Sequence, residues 1–147
     1  MSGGAGMPPY RQRVEFGDCD PAQVAYYPNF FLWLDRSTHA LFETAGVPMR
    51  EMMQRRRIGV PPVRVEIDFL SPAAWGDTLE IVSAVEKLGQ RSVTITHVIK
   101  GADGRLIARA TETRAFVSIE HEPVRRFTAI QIPDEVRDAL SRLPPGG

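Results

Sequence analysis

Pro28-Asn29-Phe30-Phe31-Leu32-Trp33-Leu34 opens a run, closing at Ala45-Gly46, whose reading decides the fold. Proline at a first-turn position sacrifices no helical hydrogen bond, and glycine just past the end is the usual stop, so the run predicts a helix over 28–45. Five consecutive apolar side chains, Phe30 to Leu34, make the first half apolar all round. Such a helix needs neighbours on most sides, and a sheet wrapped around it would supply them. After Pro61-Pro62 the period drops from about 3.6 to 2. Val63, Val65, Ile67 and Phe69 alternate with Arg64, Glu66 and Asp68, which predicts a strand with one face buried and one wet. Thr78 to Leu88 and Arg91 to Lys100, joined across Gly89-Gln90, and Arg105 to Ile119 beyond Gly101-Ala102-Asp103-Gly104 read as a meander. Val124 to Ile132 adds a last strand, and Pro133-Asp134-Glu135 starts a small amphipathic helix carrying Val136, Ala139, Leu140 and Leu143. Upstream, Tyr10 to Phe16 reads as a first strand, and Pro48 to Arg57 as a short second helix with Met49, Met52 and Met53 on one side. The layout is α+β: an antiparallel sheet curled around a long helix.

The 147 residues, 43% of them hydrophobic, suit one domain with a sizeable core. We assign it to Tyr10–Leu143, between Gly/Pro tails over 1–9 and 144–147, the first expected to be disordered. Lys plus Arg and Asp plus Glu balance at 18 each, so no global field is available to hold nucleic acid or an anionic membrane. The single Cys19 excludes an internal disulfide and a thiolate metal cluster, and the N-terminus lacks an apolar signal core. These features point to the cytoplasm. The longest uncharged run, Pro21 to Leu34, is too short to span a bilayer and is cut by Pro28.

Chemistry concentrates just before the long helix. Gly17-Asp18-Cys19-Asp20-Pro21 is an acidic loop feeding a helix N-terminus, where free backbone N–H groups and a partial positive charge can polarise a carbonyl oxygen. A carboxylate beside such a terminus suits acyl transfer. Asp20 also has a bland reading, as an Asx-turn residue before a loop proline. His39, His97 and His121 show no metal-ligand spacing, and Ser37, Ser71 and Ser92 lack a nucleophile-elbow context, so a metal site and a serine hydrolase are disfavoured. No phosphate-binding glycine loop is present.

The segment Val14-Glu15-Phe16-Gly17-Asp18-Cys19-Asp20-Pro21-Ala22, with Tyr27-Pro28-Asn29 and Trp33-Leu34-Asp35, resembles the 4-hydroxybenzoyl-CoA thioesterase family of hot-dog-fold hydrolases. Pro61, Val63 to Leu70, Asp77, Arg91-Ser92 and Ala129-Ile130-Gln131-Ile132-Pro133 follow in the order that family shows. The resemblance implies a hot-dog acyl-CoA thioesterase that needs no metal or redox cofactor. It implies Asp20 as nucleophile or general base, the Tyr27 backbone N–H as the donor to the thioester oxygen, and Asp18 and Cys19 as loop residues. Asp35 is the competing carboxylate, since another branch of hot-dog thioesterases places its acid nearby. Arg91 and Arg126 fall where the family has basic residues around the nucleotide end of CoA; Arg55-Arg56-Arg57, Lys87 and Arg125 read as a solvated face or further phosphate contacts. A homo-oligomer, dimer or tetramer, with sites near subunit contacts is also implied.

Gln23 stands where the hydroxybenzoyl enzymes tend to have Gly, and Phe31-Leu32 replaces a more polar pair, so the acyl pocket is expected to differ. Aryl-CoA and short or medium acyl-CoA substrates both stay open. So do two other readings, a hot-dog acyl-CoA hydratase or dehydratase and a non-catalytic binder of acyl-CoA or acyl-carrier protein.

Overall fold

Helix α1 spans Pro28–Thr44, and its buried residues recur in pairs one turn apart: Phe30, then Trp33 and Leu34, Ser37 and Thr38, Leu41 and Phe42. That spacing is a single stripe, so the helix is covered on one side only. Phe31 and Leu32 remain 44% and 46% exposed, which corrects the expectation of an enclosed first half. The computed structural model describes residues 6–146; positions 1–5 and 147, the outer parts of the two assigned tails, lie outside the described residues.

The stripe packs on a five-stranded antiparallel sheet in the order β1-β4-β5-β6-β3, formed by Tyr10–Arg13, Thr78–Leu88, Ser92–Gly101, Leu106–Ala115 and Pro62–Phe69. Alternation works as the sequence predicts in β5, where Val93, Ile95, His97 and Ile99 face inward. It fails in β3. This strand is an edge, and its apolar side is only partly covered: Val65 and Ile67 are half-buried while Val63 is 62% exposed.

A second sheet, β2-β7-β8, is built from Ile58–Gly59, Val117–Glu120 and Arg126–Ala129. The sequence expects Arg105 to Ile119 as one strand, but buried Phe116 breaks it and sends the chain from one sheet to the other. Strand β2 follows α2 (Met49–Arg56), and a Cβ at Gly59 would lie 2.7 Å from Ile119 Cδ1, so a larger residue there would push the Ile119 side chain aside. Helix α3, Asp134–Ser141, buries Val136, Ala139 and Leu140, and Arg137 Nη2 donates to Gly89 O at 2.6 Å.

The core divides into two apolar clusters. Phe30, Trp33 and Leu34 meet Leu79, Ile81, Ile99 and Ile107 near the start of α1. Leu41 and Phe42 meet Val93, Ile95, Phe116 and Leu140 near its end. Met7, ahead of Tyr10, packs against this second cluster. At the other end, a Cβ on Gly146 would lie 3.3 Å from Ala84 Cβ, which puts the C-terminal segment against the sheet. No helix among the described residues is long and apolar enough to cross a membrane.

Trp33 is 1% exposed at the centre of the first cluster. Trp33→Ala is expected to lower unfolding stability in urea by about 3–5 kcal/mol. Arg36→Ala, on the exposed side of the same helix, should change it by less than about 0.5 kcal/mol.

Candidate active site

The acidic loop folds into a tight hairpin. The Asp20 N–H donates to Val24 O and the Gln23 N–H to Asp20 O, both at 2.9 Å, while Cys19 pairs with Ala25 and Val24 with Ala74 as isolated bridges. Asp20 Oδ1 accepts the Ala22 N–H at 2.9 Å, an Asx turn that fixes the carboxylate. Its second oxygen, Oδ2, makes no hydrogen bond within the described residues. The bland reading of Asp20 is therefore met by one oxygen while the other stays free for chemistry.

Gln23 sits at the hairpin tip with φ +66°, a left-handed conformation that favours glycine. Glycine at this position therefore has a backbone reason, and its replacement here says little about the acyl pocket. Asp18 ties the hairpin to the helix: its carbonyl accepts the Tyr26 N–H at 2.8 Å and Asn29 Nδ2 at 2.7 Å, and its Oδ2 accepts the Glu15 N–H at 2.8 Å. Burial first, then the flanking charges of Asp18 and Asp20, push the Cys19 thiol above its ordinary value, which disfavours a thiolate nucleophile.

At the head of α1, one amide is left over. Pro28 has no N–H, the Asn29 N–H donates to Tyr26 O at 3.0 Å, and the Phe30 N–H donates to Tyr27 O at 3.1 Å. The Tyr27 N–H makes no hydrogen bond within the described residues. Tyr27 is the N-cap and is 60% exposed, with its ring edge-on to those of Tyr26 and Phe69. The helix thus presents one unpaired donor at its positive end.

Between the two apolar clusters runs a buried polar chain. Ser37 Oγ lies 2.7 Å from Ser83 Oγ, which lies 2.6 Å from His97 Nδ1. His97 Nε2 lies 3.1 Å from Glu112 Oε1, which also accepts the Thr38 hydroxyl. Arg114 then donates from Nε to Glu112 Oε2 at 3.2 Å, from Nη1 to Val60 O at 3.1 Å and from Nη2 to Asp35 Oδ1 at 2.7 Å. His39 stands 3.7 Å from the same Asp35 oxygen. Ser83, His97 and Glu112 have the connectivity of a hydroxyl–imidazole–carboxylate triad, but all three are buried and Ser83 is shared with Ser37. The chain clamps α1 to β4, β5 and β6. Sequence reading passed over Glu112 and Arg114, although Ala108, Ala110, Glu112 and Arg114 alternate along the inward side of β6.

Arg91 lies in the β4–β5 turn and Arg126 on exposed β8. The hairpin holding Asp20 bonds to Ala73 and Trp75, just before the start of β4. Arg91 lies past the end of that strand, which is about 36 Å long at ~3.3 Å per residue. One chain therefore brings Asp20 and Tyr27 into one corner and leaves Arg91 at the other end. Among the described residues no group of three His, Cys, Asp or Glu side chains is placed to hold a metal ion.

The profile of the Thioesterase-like superfamily matches residues 14–140. The chain is 33% identical over 137 residues to the 4-hydroxybenzoyl-CoA thioesterase of Pseudomonas sp. (strain CBS-3), covering 89% of this chain and 95% of that protein. A crystal structure of a 4-hydroxybenzoyl CoA thioesterase mutant complexed with 4-hydroxybenzoyl CoA superposes with a TM-score of 0.82 at 31% identity, over 90% of this chain and 96% of the other. A gentisyl-coenzyme A thioesterase gives 0.78 at 29% identity, over 88% and 98%.

The buried chain sets its own test. Burial pushes the Glu112 carboxyl up, but the His97 hydrogen bond, the Arg114 charge and the Thr38 hydroxyl outweigh it, so its pKa lies below the ordinary 4.5. A carboxylate depressed on folding contributes stability that is complete above its unfolded value and is lost as pH falls through the folded one. Glu112→Gln leaves Arg114 short of a buried counter-charge, with an expected loss of about 3 kcal/mol at pH 7 in urea denaturation. The gap between wild type and variant should narrow as pH falls below 4.5, the ordinary carboxyl value.

Proposed function

The chain belongs to the Thioesterase-like superfamily and has the hot-dog fold, and on that premise we propose that it hydrolyses acyl-CoA thioesters to free acid and CoA at the Asp20–Tyr27 corner. The observation that carries the reading is the one unpaired amide at the head of α1, set beside a hairpin that holds the Asp20 carboxylate by a single oxygen. The thioester carbonyl oxygen accepts the Tyr27 N–H, and negative charge grows on that oxygen as the carbonyl carbon becomes tetrahedral. Asp20 Oδ2 either attacks the carbon, giving an anhydride that water then opens, or takes a proton from the water that attacks. Along either route the C–S bond breaks, the thiolate of CoA leaves and is protonated, and the acid is released. Water is the only co-reactant, so no cofactor is invoked.

Arg91 and Arg126 are proposed to meet the CoA phosphates from a second copy of the chain, since within one chain Arg91 is remote from Tyr27. Apolar Phe31, Leu32 and the edge of β3 offer the surface for that association as a dimer or tetramer. The acyl group is aryl, as in 4-hydroxybenzoyl-CoA, or a short or medium chain. The single cysteine suits a cytoplasmic location.

Release of free thiol from a panel of acyl-CoAs tests the activity directly. Asp20→Asn should lower kcat roughly 10²–10⁴-fold with little change in KM. Tyr27→Pro keeps a compatible backbone, φ −56°, and deletes the N–H together with the ring, so it should lower kcat, while Tyr27→Ala, which deletes the ring alone, should largely retain it. The expected loss from one such donor is about 10²–10³-fold. Enoyl-CoA hydration without thiol release, or acyl-CoA binding without turnover, would overturn the hydrolase reading.

A further inference from the structure

Asn29 follows Pro28 in the first turn of α1, and its side chain leaves the helix instead of capping it. Asn29 Nδ2 donates to Asp18 O at 2.7 Å, across 11 positions of sequence. A carbonyl oxygen can only accept, so the atom facing it is the amide nitrogen and the side chain has one orientation. The same carbonyl takes the Tyr26 N–H at 2.8 Å.

The acidic hairpin has two arms. Val24-Ala25-Tyr26 returns into α1 and is fixed by the Ala25 N–H, which donates to Ala73 O at 2.7 Å. Asp18-Cys19-Asp20 is the outgoing arm and carries the carboxylate. Among the described residues, the Asn29 side chain makes the only hydrogen bond from α1 to that arm. Its anchor at Asp18 lies two residues from Asp20, at most about 7 Å of extended chain.

A helix-starting role does not account for asparagine here. Tyr27 is the N-cap and makes no side-chain cap bond, and Asn29 lies beyond it. Asparagine is a poor helix former, and a carboxylate would suit the positive end of the helix better than an amide. What the position gains from asparagine is a short, planar donor that reaches Asp18 O.

We propose that Asn29 is a positioning residue for the reaction, its side-chain amide holding the arm that carries Asp20 against the helix turn that carries the Tyr27 amide. The assignment rests on the thioesterase reading. A displacement of about 1 Å between reacting groups can cost 10²-fold in rate, so one bond joining the two halves of the corner bears directly on turnover.

Two variants test it. Asn29→Leu removes the donor without adding charge, and Asn29→Asp replaces it with an acceptor of similar shape that the helix terminus favours. Both should lower kcat for thiol release by about 10- to 100-fold with KM within about twofold. In an Asp20→Asn background neither should cost more than about twofold, because the bond acts through Asp20. Unchanged kcat in both variants, or the full cost repeated in that background, overturns the proposal. So does a loss in Asn29→Leu with kcat kept in Asn29→Asp, the pattern of a weakened helix start. Amide hydrogen exchange supplies a readout without turnover: Asn29→Leu should speed exchange of the Asp20 and Tyr26 amides at least about tenfold while β5 amides keep their wild-type rates. Unchanged exchange at Asp20 and Tyr26 overturns the proposal. Faster exchange there, in a protein that releases no thiol from any acyl-CoA, would support the clamp while overturning the hydrolase reading; thiol release by wild type with both Asn29 variants fully active would do the reverse.

Discussion

Glu112 and Arg114 bear on each other in the middle of the protein, and the position of α1 depends on that contact. Two opposite charges held out of water are tolerable only when each keeps its hydrogen bonds. Here Thr38, His97 and Arg114 satisfy the carboxylate, while Val60 O and Asp35 take the other guanidinium donors. Three of the groups that complete the array, Asp35, Ser37 and Thr38, come from α1 itself. Sliding the helix by one turn, about 5.4 Å, would break all of these contacts at once, whereas apolar packing alone would give way more gradually. The polar chain therefore selects one register of helix on sheet, with an apolar cluster on either side.

A fixed register matters because it also sets where the helix start lies against the acidic hairpin. Pro28 removes one donor, tight turns consume the next two, and Tyr27 keeps the remaining N–H. The hairpin is anchored to that same turn of backbone through Asp18 and to the loop before β4 through Ala73 and Trp75. Carboxylate and amide are thus held by rigid neighbours, as preorganised electrostatic stabilisation requires.

The corner at the helix start is separated from much of the exposed apolar and basic surface. Phe31, Leu32 and Val63 leave apolar surface in water, and the basic Arg91 lies a strand length from the amide.

Local rules made much of this legible from sequence. Proline and glycine marked the ends of α1, period-2 alternation located β3, the turns at Gly89-Gln90 and Gly101–Gly104 separated β4, β5 and β6, and the acidic loop before a proline-led helix singled out the corner where Asp20 and Tyr27 lie. Those features depend on residues a few positions apart. Other outcomes rest on pairing between distant segments: Ser83 opposite His97, Glu112 two residues along β6 from the partner of His97, Val63 on an uncovered edge, Phe116 passing between sheets, and Arg91 far from Tyr27. Sequence by itself determined the elements and the candidate chemistry, because propensity, capping and turn formation are short-range. Tertiary structure alone decided which charges meet in the interior, which apolar faces stay open and which site residues share a corner, because those depend on strand order and on the register of α1 against the sheet.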